Sequence, residues 1–441
     1  MSMTQIGMRV RTLVAAGLLI VGAAVAGGGT AQAATPFAAI DTATVNQFTL
    51  DPGTSFTGYG AAIDAVEAGG AVHVMDANQV LASGGRTGST GLCHGTGLSS
   101  SLSPTGFCWD KADDTSNSYT PDGGWTPQGI TGSYDAQPNG KWDNQTTSHT
   151  AYLASWHFDQ DLGGSNPQSN AFARLTLVNA DNGAITYNHM LLVEPTGDQS
   201  AGGNFRAAAG THADGVVWYG NRVFVANGRW LQVYDLRHIW KVTSNQEMVG
   251  ISGGVSSARW SNYALPMIGR YRTTASDGTA CTPVTGTAPC LNSLSLDRSG
   301  QDGLVSAEYY ASNAAGGRVI RWPLDAATTL PSTSDTSGVG TSHATVGYTS
   351  PIWHMQGAAT DGTYWYLAGD CPSGVGGGSG DSIDYSCIHR AEPNQAPHVY
   401  TTSPVLTENL GYAPSAHRLW GINERINSTT GIRVVFSITA T

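Results

Sequence analysis

A chain of 441 residues, 40% hydrophobic and only 12% charged, has enough apolar material for a large core and too few charges for the solvated faces of helical bundles or coiled coils. Its 57 glycines, 12 tryptophans and 17 tyrosines favour turns and aromatic strands over most α/β enzyme folds. The net charge of -11 argues against a nucleic-acid partner, which would require a surplus of Lys and Arg, and against attachment to an anionic membrane surface.

Met1 to Ala34 has the three parts of a secretory leader: Arg9 and Arg11, the apolar stretch Leu13 to Ala26, and the small-residue site Ala31-Gln32-Ala33. Cleavage is expected close to Ala34. No later stretch approaches the roughly 18 unbroken apolar residues of a membrane span, so the mature chain is read as secreted and extracellular, without a membrane span. Residues 35–124 are poor in periodicity apart from the strand-like Ala71 to Met75, and are read as an irregular, disulfide-containing N-terminal extension packed on the rest of the chain. In an exported chain six cysteines predict disulfides. The sequence-local pairing Cys93 with Cys108, Cys281 with Cys290 and Cys371 with Cys387 is expected, because each pair encloses a Gly-, Pro- or Ser-rich loop. No C-x-x-C or H-E-x-x-H spacing occurs, so no metal or cofactor is expected.

From Trp125 to residue 441 the pattern changes to short β-rich runs bounded by Gly, Asn and Asp: Ala151 to Trp156, Ala171 to Asn179, Asn188 to Val193, Gly215 to Tyr219, Arg222 to Ala226 and Trp230 to Tyr234. No helix of ten or more residues is expected, only a single turn within Arg237 to Val242. A weak repeat runs through this region. Pro127-Gln-Gly-Ile-Thr131, His212-Ala-Asp-Gly-Val-Val217 and His354-Met-Gln-Gly-Ala-Ala359 each set a polar residue ahead of Gly and a short strand, and Glu408 to Tyr412 opens a degenerate last copy. Serial antiparallel units of this kind predict an all-β β-propeller of five to seven blades, with Arg433 to Ile438 completing a blade begun near Trp125; a two-sheet sandwich is the alternative.

In a propeller the openings of the innermost strands converge on a central channel. Gln128, His212, His354, Gln356, Glu408 and Asn409 are therefore candidate pocket residues, and the two histidines suit proton transfer near neutral pH. Trp125 and Trp353 beside these openings offer flat faces for sugar C–H surfaces. His149 and His157 bracket one strand, with His149 placed at its entrance. Arg259 stands out among few basic residues as a partner for a carboxylate. Each of these residues also has a plain structural reading, in blade packing or in capping a strand end. Gly250-Ile-Ser-Gly-Gly254 matches a nucleophile-elbow pattern by letter, but no helix is expected after it, so a glycine-rich loop is favoured. Asp361-Gly362-Thr363 reads as a hairpin turn.

Cys108-Trp109, Trp125 to Thr131, Ser155-Trp156, His189 to Pro195, His212 to Gly220, Val233 to His238, Met355 to Gly357 and Leu419 to Glu424 together resemble a family of exported actinobacterial β-propeller proteins, mostly of unassigned function. In layout the chain is also similar to secreted propeller polysaccharide lyases of the type that releases rhamnose from glucuronate-bearing gums; no catalytic residue is carried over from them. The expected function is a secreted carbohydrate-active propeller with a poly- or oligosaccharide partner, a monomer, first of all a polysaccharide lyase acting on a uronate-containing glycan. His212 is the expected base, His354 the acid and Arg259 the neutraliser of the uronate, with Gln128 and Gln356 as orienting groups. The alternatives are a non-catalytic glycan- or protein-binding propeller and a glycoside hydrolase.

Overall fold

Four successive antiparallel meanders and a fifth that borrows a strand from upstream account for most of the chain. The computed structural model describes residues 35–115, 124–144, 147–158, 172–208, 210–274, 281–284, 286–311, 316–375, 385–424 and 433–441, so the leader read at Met1 to Ala34 lies outside the described residues. The first sheet is Trp125–Gly132, Ala151–Phe158, Ala173–Asn179 and Thr186–Thr196; the second is Gly215–Tyr219, Arg222–Asn227, Trp230–Asp235 and Tyr263–Thr274. The third is Ser295–Asp297, Gly303–Ala307, Arg318–Asp325 and Val346–Thr349; the fourth is Gly357–Thr360, Trp365–Gly369, Ser386–Ala391 and His398–Ser403. The fifth runs Thr407–Ala413, Arg418–Asn423, Val435–Thr439, and then Thr105–Cys108.

The fold is all-β and propeller-like, because alternation along each strand buries both faces of every sheet. Val216 and Trp218 pack with Leu153 and Leu175 of the first sheet, whereas Val217 and Phe224 pack with Leu304 and Trp322 of the third. The third meets the fourth through Val305, Val319, Ala358 and Leu367, and the fourth meets the fifth through Tyr366, Ile388, Leu419 and Phe436. The cycle closes where Trp156 and Tyr152 of the first sheet meet Ile422 and Val435 of the fifth. Each fully buried side chain of this size contributes roughly 1.5 to 3 kcal/mol. The first strand of each sheet packs against the first strands of its two neighbours, so these five strands form the inner ring.

Two expectations about the N-terminal part are corrected. Val435–Thr439 pairs with Thr105–Cys108, ahead of Trp125, and not with a strand near the start of the repeat region. The segment is also not irregular: it adds short strands to the sheets (Ala38–Ala39, Thr49–Asp51, Val72–Met75) and contains helix Ser55–Ala68, of 14 residues. Gly58 and Gly60 and a weak apolar stripe hide this helix in the sequence. It is held by burial of Ala62, Ile63, Ala65 and Val66 on the outer strands of the first two sheets. The turn expected within Arg237 to Val242 is a short 3-10 segment, Leu236–His238, followed by strand Ile239–Val242.

The three cysteine pairs are bonded in sequential order. Gly250 to Gly254 lies in a hairpin of Val249–Ser252 and Val255–Ala258 whose turn residues, Gly253 and Gly254, both have positive φ; a strand, not a helix, follows the serine. Asp361 Oδ1 accepts from the Thr363 and Tyr364 amides, closing the expected hairpin turn. Among the described residues no helix is long and apolar enough to cross a membrane.

Candidate active site at the channel mouth

Each inner strand enters the ring from the same rim, because a four-stranded meander returns its last strand to the end where its first began. Polar residues just before or early in these strands therefore meet. Gln128 comes from the first sheet, His212 and Asp214 precede the inner strand of the second, and His354 and Gln356 precede that of the fourth. Glu408 lies at the start of the fifth inner strand, and Glu424 follows its second strand. Tyr309 follows the second strand of the third sheet.

Contacts join these residues across the sheets. Gln128 Nε2 donates to Glu424 Oε2 at 2.7 Å and Gln356 Nε2 donates to Glu408 Oε1 at 3.1 Å. His212 Nδ1 is 2.9 Å from Asp214 Oδ1, and its ring centroid lies 3.9 Å from that of His157. His354 Nδ1 is 2.7 Å from Asp370 Oδ2, with Tyr309 stacked 5.9 Å away. Ala213 and His354 have positive φ, which is unfavourable for residues with a Cβ; Ser155 Oγ steadies the first turn by donating to the Ala213 carbonyl at 2.9 Å.

The electrostatics are those of a partly dry acidic pocket. Glu408 is only 2% exposed; burial, reinforced by the charges of Glu424 and Asp214, pushes its carboxyl well above the usual carboxylate range. Burial and then the neighbouring His212 and Arg433 push His157 well below the ordinary imidazole value. Burial and the charges of Glu408, Asp370 and Glu424 raise the Tyr309 phenol. A buried carboxyl group whose ionised form is disfavoured, beside a second carboxyl group, is an arrangement that general acid–base chemistry can use.

The other expected site residues lie elsewhere or act otherwise. Because Ala151–Phe158 runs antiparallel to Trp125–Gly132, with Tyr152 opposite Gly132 and His157 opposite Thr126, the mouth receives His157. His149 lies beyond the other end of that strand, 2.5 Å from Asp181 Oδ2. Asn409 is fully buried and bridges two inner strands by donating to the Ile130 carbonyl at 3.4 Å. Trp353, next to His354, is 43% exposed and open to a ligand.

Arg259 and Trp125 line a different cavity of about 400 Å³, together with Arg86, Arg174, Tyr187 and His189; its walls include none of Gln128, His212, His354 and Gln356. Arg259 is 2% exposed, with its guanidinium carbon 4.2 Å and 4.1 Å from the ring centroids of Phe158 and Phe172. Beside it Asp113 accepts from Arg174 Nη2 at 2.7 Å, Tyr187 Oη at 2.8 Å and His189 Nε2 at 3.0 Å. Burial raises the Asp113 carboxyl, but His189 and the guanidinium groups of Arg174 and Arg86 outweigh it and hold it well below the usual range. Burial and then Arg174 depress His189 to about 4, so it is neutral and donates from Nε2 while Nδ1 accepts from Thr176 Oγ1. Among the described residues no cluster of three or more His, Cys, Asp or Glu side chains is arranged to hold a metal ion.

No protein-family model matches this chain, and no curated protein does. Among solved structures it is similar to Pseudomonas fluorescens PhoX in complex with vanadate, at 8% identity and a TM-score of 0.33, over 92% of this chain and 98% of that one. A likeness this loose bears on neither mechanism nor substrate.

Proposed function

We propose that the protein is an exported, five-bladed propeller acting on a glycan, and that its channel mouth hydrolyses a glycosidic bond. The observation that carries this reading is the buried Glu408 beside Glu424, each carboxyl group oriented by a glutamine amide, with burial disfavouring the ionised form of Glu408. With Gln356 donating to Oε1, the Glu408 proton is left on Oε2, free to pass to the glycosidic oxygen as the C–O bond breaks. Glu424 acts as the base and takes a proton from water, whose oxygen bonds to the anomeric carbon, and proton exchange with solvent restores both groups. Exposed Trp353 supplies a face for a sugar ring. The five sheets and their closed cycle of interfaces support the blade number, and the disulfides accord with an oxidising compartment.

The lyase reading loses support because it needs an accessible cation at the uronate carboxylate, whereas Arg259 lines another cavity, Arg433 beside the mouth is fully buried and donates to the Glu424 and Asp113 carbonyls, and the mouth gathers Asp214, Asp370, Glu408 and Glu424. The test is a panel of neutral and uronate-containing polysaccharides, with release of reducing ends and ultraviolet absorbance of unsaturated products read in parallel. Reducing ends without unsaturated products are expected, and Glu408→Gln should lower turnover by about 100-fold or more with the melting temperature unchanged or raised. Unsaturated products would restore the lyase reading. Binding without turnover would leave a glycan-binding propeller.

A further inference from the structure

A second cleft lies on the same rim, at the outer edge of the second sheet. The last strands of the first and second sheets pair in parallel only where Met190–Val193 runs beside Tyr263–Pro266. Beyond that they take other partners, Asn204–Ala207 for one and Trp230–Asp235 with Thr49–Asp51 for the other. The fork between them, walled by helix Ser55–Ala68, is a cleft of about 510 Å³ lined by Tyr59, Thr196, Trp230, Arg270 and Arg272 among others.

Arg270 and Arg272 are two apart on one strand, so they project to the same side, and Trp230 is the cross-strand partner of Arg272. The Arg270 guanidinium carbon lies 4.3 Å from the Trp230 ring centroid. That stacking occupies the flat face of the guanidinium and leaves the N–H donors in its plane to be satisfied. Neither arginine lies within ion-pair distance of a carboxylate among the described residues, whereas Arg86, Arg174, Arg206, Arg222, Arg318 and Arg321 each do. Asp51, which also lines the cleft opposite Arg272, is outside ion-pair distance of it and accepts from the Gly53 amide through Oδ1, and Glu194 accepts from Tyr59 Oη and Arg206. In a chain of net charge -11, two guanidinium groups on one face, neither of them in an ion pair, favour the entry of an anion.

We propose that this cleft binds an acidic sugar, with the two guanidinium groups gripping its oxyanion, a carboxylate or a phosphate, through charge-assisted hydrogen bonds. It is joined to the mouth by the hairpin that carries Trp230. Asn227, opposite Trp230, accepts from the His212 amide, and the Gly228 amide donates to Asp214 Oδ2 at 3.3 Å. A glycan lying across this rim meets the acidic mouth with a neutral unit and the basic cleft with a charged one.

The proposal does not rest on the mouth being catalytic, because cleft binding is measured without turnover. Calorimetric titration of the full chain with trigalacturonate, glucose 6-phosphate and neutral maltotriose tests it, in low and high salt. One or both acidic sugars should bind, which of them distinguishing carboxylate from phosphate; maltotriose should bind at least tenfold more weakly, and raised salt should weaken the acidic ligands. Arg270→Gln and Arg272→Gln should each weaken binding about tenfold or more while the melting temperature holds. Equal binding of acidic and neutral sugars, or acidic binding that survives the folded double variant, overturns the proposal.

Discussion

At the scale of single residues, burial decides what an ionisable group does in this protein. Asp135 is 1% exposed, accepts one hydrogen bond from Thr131 Oγ1 at 2.7 Å, and is pushed up to about 8, chiefly by desolvation. In the unfolded chain the same carboxyl ionises near 3.8. Its contribution to stability is therefore full below about pH 4 and is lost as pH rises towards 8. Asp135→Asn keeps the acceptor for Thr131 without that loss, so it should stabilise by on the order of 4 kcal/mol at pH 7 and by little at pH 4. Melting temperatures of both proteins across this range check it; parallel pH profiles would count against a buried neutral Asp135. Burial shifts the Glu408 carboxyl upward by the same physics.

At the scale of elements, the positions that matter most are where backbone meets backbone. Helix Ser55–Ala68 lies so close to Gly203 that an added Cβ there would come within 2.2 Å of the Val66 amide nitrogen. Gly203→Ala should force the helix off the sheets and cost roughly 1 to 3 kcal/mol, read as a lower midpoint in denaturant. An unchanged midpoint would mean that the helix adds little to the fold. The strands, by contrast, were legible residue by residue: Gly215 to Tyr219 is matched in full, and Arg222 to Ala226 and Trp230 to Tyr234 within one residue. Alternation and turn residues are local signals, whereas this helix is stabilised by contacts with distant strands.

At the scale of the molecule, closure depends on one strand, Val435–Thr439, lying between Arg418–Asn423 and Thr105–Cys108. Removing residues 433–441 takes Val435, Phe436 and Ile438 out of two interface clusters and leaves Thr105–Cys108 without its partner. The truncated chain should lose the single cooperative transition of the parent, as followed by near-ultraviolet circular dichroism on heating. A truncation that melts as one sharp transition at the parent's temperature would mean that the ring does not need this strand.

The sequence by itself determined the all-β class, the local cysteine pairs and most of the residues that open the repeat, because strand periodicity, loop-closing cysteines and turn chemistry act over a few neighbours. Gln128, His212, His354, Gln356 and Glu408 could be named for that reason. Which of them come to lie together follows from the tertiary arrangement. It made His157 the mouth histidine in place of His149 through strand direction, set Arg259 in another cavity, and added Asp214, Tyr309, Asp370 and Glu424. The physical reason is that residues at the centre of a ring come from five sheets far apart in the chain, and the upward shift of the Glu408 carboxyl depends on burial that exists only in the folded chain.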